Sequence, residues 1–290
     1  MKYSPSLSSL PCLVLTALSL GTAGFSNAAT VSAGFDGGNG TVSPDQYAGT
    51  SGAGWDTAWG ATGATAPTGT VTNASPVNGG GNYLSVSTSF NSDNAIGREF
   101  DNTGASGGFT TGIETLTLTF DVRIDTLTGW NSASDYLTLH AANSTGGTYN
   151  VSAASSFIIR AFGASPAAGK NANEWLLYSG TSDGGGYSAA NFVNSGMALT
   201  SGSTYTFSIT NDPIAKKYSG SIFNGTTTVT WSNLGWRATT ASDRFAINSR
   251  VNVGTDVLAY SLDNLTIVPE PTASSLALLT GLALLTRRRK

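Results

Sequence analysis

From residue 83 onward the chain alternates between apolar and polar positions. Residues 83–90 place Leu84, Val86 and Phe90 on one side. A period of two belongs to an extended strand, whose successive side chains point to opposite faces. Residues 114–125 give the cleanest case. Leu116, Leu118, Phe120, Val122 and Ile124 share one face, and Thr117, Thr119, Asp121, Arg123 and Asp125 share the other. This pattern predicts an antiparallel strand with one face on a core and one in solvent. Further strands are predicted at 96–100, 136–140, 157–162, 175–178, 205–210, 218–223, 227–231, 244–248 and 257–267. In the last of these, Leu258, Tyr260 and Leu262 have one parity and Leu265 and Ile267 the other. One extra residue restores the phase, so a bulge is predicted at Asp263-Asn264.

Turn formers separate these runs: Gly184-Gly185-Gly186, Asn211-Asp212-Pro213 and Asn224-Gly225. The last pair, flanked by strand patterns, signals a tight hairpin. Residues 30–81 are rich in Gly, Thr and Ala and carry only scattered strand signals. Trp55 and Trp59 in that stretch read as cover for a core edge, with sugar stacking as the alternative. No helical period occurs between the two ends of the chain. About a dozen short strands joined by turns predict an all-β, two-sheet antiparallel β-sandwich. A signal helix flanks it on the N-terminal side and a hydrophobic helix on the C-terminal side.

The ends are of another kind. Lys2, the apolar run 10–20 and Ser26-Asn27-Ala28 have the layout of a secretory signal. Cleavage is expected after Ala28, with Ala29 as the alternative. Cys12 lies within the apolar run and follows Pro11, which suits a lipid-attachment box poorly. Removal of residues 1–28 leaves a chain without a thiol, so disulfides and Cys-ligated metals are excluded. At the other end stand Val268-Pro269-Glu270-Pro271, an uncharged segment over 272–286, and Arg287-Arg288-Arg289-Lys290. The segment is rich in Leu and Ala but shorter than the roughly 20 apolar residues of a full span. The terminal cations would stay cytoplasmic and leave the body outside. The expected domains are therefore 1–28, 29–267 and 268–290.

This tail resembles the PEP-CTERM sorting signal of exported bacterial proteins, in its order and in its position at the C-terminus. The resemblance implies processing near Pro269-Glu270-Pro271 by exosortase, a transpeptidase-like membrane enzyme. It also implies a Gram-negative bacterium that makes exopolysaccharide, and a route from transient inner-membrane anchoring to the outer surface or extracellular matrix. A single-pass anchor that is never cleaved is the alternative. Over residues 83–267 the body resembles the concanavalin A-like, laminin-G-like jelly roll. The stretch 202–209 looks like its strand after a Gly turn, 218–231 like the hairpin that follows, and 260–267 like its closing strand.

Charge narrows the function. Between residues 29 and 268 nine cations face sixteen carboxylates, a net charge of −7. Nucleic-acid binding needs a basic footprint, and the body has none. Glycoside hydrolysis needs two carboxylates about 5–9.5 Å apart. The nearest approach is Glu99-Phe100-Asp101 at a strand end, while Asp121 and Asp125 read as a solvated face. His140 is the only histidine and reads as structural or superficial. Calcium is a candidate structural ion at Asp36-Gly37-Gly38-Asn39, at Asp183-Gly184-Gly185-Gly186 or at Asp263-Asn264, although such sequences also make plain turns. No other cofactor is expected. Trp130, Trp175, Trp231 and Trp236 stand beside amides or carboxylates and are candidate carbohydrate-stacking residues. These features predict an exported, non-catalytic surface or matrix protein with carbohydrate binding as a candidate activity. The alternative is a polysaccharide hydrolase or lyase on the same scaffold.

Overall fold

The computed structural model describes residues 30–35, 40–41, 55–57, 59–63, 67–88, 94–100, 113–142, 155–183 and 186–270. The N-terminal signal, the Asp36-Gly37-Gly38-Asn39 loop, Asp101 and everything from Pro271 onward, including Arg287, Arg288, Arg289 and Lys290, lie outside them. Within the described residues the strands are β1 (Val31–Ala33), β2 (Gly40–Thr41), β3 (Gly60–Thr62), β4 (Thr68–Thr72), β5 (Tyr83–Thr88), β6 (Asn94–Glu99), β7 (Leu116–Thr128) and β8 (Tyr136–Ala142). They continue with β9 (Ser155–Phe162), β10 (Glu174–Tyr178), β11 (Phe192–Ala198), β12 (Thr204–Asp212), β13 (Lys217–Phe223), β14 (Thr228–Gly235), β15 (Arg244–Arg250) and β16 (Val257–Pro269). A single 3-10 turn precedes β11. Among the described residues no helix is long and apolar enough to cross a membrane.

The strands form two antiparallel sheets. One runs β14-β13-β12-β7-β16-β5-β4-β2, with β1 beside β16, and the other runs β11-β10-β9-β8-β15-β6-β3. The protein is thus a β-sandwich of jelly-roll type, as the alternation predicts. The core lies where the inner faces meet. Phe120 stacks on Phe207 at 5.0 Å within the larger sheet and meets Phe245 of the smaller one at 4.9 Å. Trp175 stands edge-on to Tyr205 and Phe207. Such ring pairs add about 0.5–1.5 kcal/mol to the burial of their area. Polar bridges also join the sheets at the core's margin. The Tyr218 hydroxyl donates to the carbonyl of Tyr178 at 2.5 Å, Asn211 donates to Ser156, and the Thr88 and Ser249 hydroxyls pair.

The long final strand carries the predicted bulge. Its register on β7 shifts between Asp263 and Thr266, and Asn264 has φ 52°, a conformation that Asn tolerates well. Leu258, Tyr260, Leu262, Leu265 and Ile267 are consequently all buried. The Asn224-Gly225 turn closes the β13–β14 hairpin. The Asn224 side chain accepts from the amides of Thr226 and Thr227, and Gly225 has φ 90°.

The polar face of β7 differs from expectation. The sequence suggests a solvated face, but Asp121 is only 5% exposed. The segment 75–78 crosses above it, since Arg123 donates to the carbonyls of Ser75 and Pro76 and Asn78 donates to Thr206. Asp121 accepts from Thr206 and Asn264, Asp125 from Arg123 and Ser261. Both carboxylates are spent on holding strands together.

Tyr218 and Tyr260 are buried, and burial raises both hydroxyl pKa values above the ordinary range. The unfolded chain begins to lose these protons near pH 10, while the folded chain keeps them. Their stabilisation is therefore complete below about pH 10 and is lost as pH rises from there toward the folded-state values. Chemical denaturation between pH 8 and 11 should show stability falling above about pH 10, and Tyr218→Phe with Tyr260→Phe should flatten that slope.

Candidate functional site

The two sheets are buried differently. On β12 buried and half-buried positions alternate, as expected of a sheet with one face on the core. On β8, β9 and β10 every residue is buried. The second face of the smaller sheet is therefore enclosed as well. The sequence hints at this in the nearly unbroken apolar run of β9, a pattern typical of strands covered on both faces.

Three cross-strand rows make up this second face. Phe162, Tyr136 and Arg250 form the first. Leu176, Arg160, Thr138, Asn248 and Ala95 form the second. Ile158, His140, Ala246, Gly97 and Gly60 form the third. His140 is 1% exposed and its Nδ1 pairs with the Ser155 hydroxyl at 3.0 Å, so it is structural and not superficial. At the edge of the third row, Glu99 accepts from Arg244 at 2.7 Å, and Arg244 also contacts Asp243. The candidate catalytic carboxylate Glu99 is thus engaged in an ion pair across β6 and β15.

The aromatic side chains of this face gather at the β9–β11 end. Tyr136, Ile158, Phe162, Leu176, Tyr178 and Phe192 form an apolar cluster separate from the main core. Arg160 lies among them. Its guanidinium is 4.6 Å from the Tyr136 ring, 5.6 Å from Phe162 and 5.2 Å from Tyr187. It donates through Nε to Thr138 at 2.5 Å and through one terminal nitrogen to the Tyr187 hydroxyl at 3.3 Å. Arg160 is 7% exposed, and among the described residues no carboxylate pairs with it.

Tyr187 closes the cluster on the solvent side. It is 39% exposed, lies parallel to Tyr178 at 6.1 Å and meets Phe192 edge-on at 6.0 Å. Arg237 sits over the same ring at 5.6 Å. A close backbone crossing creates this arrangement. Gly180 donates to the carbonyl of Gly235, and Ser182 to that of Trp236. A Cβ on Gly235 would lie 1.9 Å from the Gly180 oxygen, so the crossing requires glycine. The chain leaving the crossing places Arg237 beside Tyr187. A small cleft opens there, lined by Tyr178, Gly180, Thr181, Asp183, Asn191 and Arg237. Asn191 donates its amide to the Tyr178 hydroxyl.

Electrostatics follow from this placement. Burial raises the Tyr187 pKa, and the Arg160 and Arg237 charges pull it partly back. Burial lowers the Arg237 pKa, and the like charge of Arg160 acts in the same direction. The two guanidiniums therefore repel one another across a shared ring.

The tryptophans singled out in the sequence lie elsewhere. Trp175 is 0% and Trp236 1% exposed, and Trp130 is 9% exposed within the core cluster. A ring enclosed by core atoms has no face to offer a sugar, so these three act in packing. Trp231 is half-buried against the core and stands edge-on to Tyr218. Trp59 is buried, packing at a tilt against Phe35 and Trp55 at the sandwich edge, which is the core-cover role. Asp183 lines the cleft, and Asp263 accepts from the Asn264 amide at the bulge. Among the described residues no three His, Cys, Asp or Glu side chains converge as a metal-binding group. Tyr187, Arg160 and Arg237 were not legible as a site. They lie far apart in sequence, and Tyr187 follows a triple glycine that carries no strand pattern.

No protein-family model matches the chain, and no curated protein matches it. Solved structures of similar arrangement include the carbohydrate recognition domain of Emp47p, with 10% identity over 73% of this chain and 89% of that one, at a TM-score of 0.46. The catalytic domain of a glycoside hydrolase family 131 protein from Coprinopsis cinerea matches at 12% identity over 70% and 78%, with a TM-score of 0.46. Peanut lectin matches at 10% identity over 74% and 99%, with a TM-score of 0.43. Likeness of this degree concerns the sandwich arrangement alone.

The Glu99–Arg244 pair offers a direct check on its structural role. Removing one partner of a buried ion pair costs about 3 kcal/mol or more, because the other charge is stranded. Glu99→Leu should destabilise the fold by about that amount. Glu99→Leu with Arg244→Met should cost less than the sum of the two single changes, as read from urea midpoints.

Proposed function

We propose that this chain is an exported, non-catalytic cell-surface or matrix protein that associates with polysaccharide. The observation that carries the reading is the Tyr187 platform: a phenol 39% exposed at the mouth of a small cleft, with Tyr178 on one face, the Arg160 and Arg237 guanidiniums against the ring, and Asn191 and Asp183 lining the cleft. An exposed aromatic rim beside amide, carboxylate and guanidinium groups suits the C–H edge and the hydroxyls of a sugar. The carboxylates nearest to a hydrolytic pair do not compete with it, because Glu99, Asp121 and Asp125 are held in ion pairs or strand-joining hydrogen bonds. The terminal segments support export, and the PEP-CTERM-like tail supports processing by an exosortase-type enzyme after transient membrane anchoring. In the structure the first part of that motif belongs to the sandwich. Val268 and Pro269 pair with Thr117 and Leu116 of β7, and the Glu270 amide donates to Thr115. Processing is therefore expected beyond Glu270, at the margin of the folded body.

Two measurements test these statements. Tyr187→Ala should reduce retention of the protein on polysaccharide by about 2- to 10-fold, the weight of a lost aromatic contact, while Trp231→Ala leaves retention unchanged. Equal retention of wild type and Tyr187→Ala would remove the platform from the proposal. The C-terminal mass of protein extracted from the cell surface should lack Arg287, Arg288, Arg289 and Lys290, and an intact basic end would argue for a permanent anchor.

A further inference from the structure

The Arg160–Tyr187–Arg237 group places two positive charges at one ring, with Asp183 in the adjoining cleft. The body as a whole is acidic, with nine cations against sixteen carboxylates. Yet two guanidiniums lie within 5.6 Å of one tyrosine ring. Arg160 is more than nine-tenths buried. A buried charge is costly unless it is paired, and cation–π contacts return only part of that cost. The other buried arginine of this sheet face, Arg244, has its carboxylate in Glu99. Among the described residues Arg160 has only hydroxyl acceptors, Thr138 and Tyr187. Five N–H groups in a fixed fork suit an oxyanion, and two hydroxyl contacts leave most of that fork unused.

We propose that Arg160 and Arg237, on either side of the Tyr187 contact, form a subsite for the anionic group of an acidic sugar, a uronate carboxylate or a sulfate ester. The exposed rim of Tyr187 meets the sugar and the two arginines take the anion. Asn191 and Asp183 in the adjoining cleft face the sugar hydroxyls. This rests on the polysaccharide-binding reading above and names the class of polysaccharide. It also accounts for two cations sharing one ring on an acidic protein.

The test is calorimetric titration of the full-length chain in detergent with three probes: oligogalacturonate, sulfated dextran oligomers and neutral cellohexaose. Binding of oligogalacturonate, of the sulfated oligomer or of both is expected, weakening with added salt. The probe that binds identifies the source of the anion. Arg237→Met should weaken that binding by about 10- to 100-fold, the range for a charge-assisted hydrogen bond. Arg160→Lys should weaken it while leaving the far-ultraviolet circular dichroism unchanged. Cellohexaose binding that equals or exceeds that of both anionic probes, and is untouched by the arginine changes, would overturn this proposal and leave the carbohydrate reading standing. Failure of all three probes to bind would overturn both.

Discussion

Enclosure of the smaller sheet on both faces is the constraint from which much of the structure follows. A sheet with a wet face can leave its polar side chains to water. One with two dry faces must pair each of them within the protein, because an unmet buried donor or acceptor costs about 1–3 kcal/mol. His140 with Ser155, Glu99 with Arg244 and Arg160 with Thr138 are the responses along β8, β9 and β15. The small residues Ala95, Gly97, Ala142 and Ala246 occupy the same face. They leave room above the strands where large side chains would stand. At the β9–β11 end this enclosed layer comes to the surface at Tyr187.

The larger sheet solves a different problem. Its outer face is polar, but much of it is not simply wetted. Hydroxyl pairs Thr119–Thr266 and Thr117–Thr210 cross from strand to strand. Arg123 gathers Asp125, Ser261 and the 75–78 segment at one point. The sandwich is thereby held by a core of aromatic rings inside and by a side-chain lattice outside. That lattice is what allows so many Thr and Ser residues in strands without loss of register.

Strand positions were legible wherever an alternating or apolar run of four residues or more stood between turn formers. The eleven runs from residue 83 onward each became a strand, and the parity switch in the last one located its bulge, because a buried face tolerates no slip. The strands that escaped notice are short or lack β-formers. Asn194, Ser195 and Gly196 interrupt β11, which lies at a sheet edge and is half exposed. β3 and β4 sit in a stretch of Gly, Thr and Ala where no apolar contrast exists. Site residues were less legible for a related reason. A tryptophan beside an amide looks alike in sequence whether it faces a core or a ligand. Trp175 proved to be core because its strand, β10, is buried throughout, and Trp236 because it lies at the backbone crossing just past β14. Tyr187 has no strand pattern to give it a face, and it meets Arg160 and Arg237 only through the crossing at Gly180 and Gly235.

β16 has a consequence for the order of events as the chain is made. It is the last strand in sequence, yet it lies inside the larger sheet, between β7 and β5 and alongside β1. Until residues 257–269 emerge, β7 and β5 present open edges with bare amides and carbonyls, the surfaces by which incomplete sheets find wrong partners. The larger sheet cannot close early and be corrected later. The larger sheet of a nascent chain stays open until β16 emerges, and needs shelter until then.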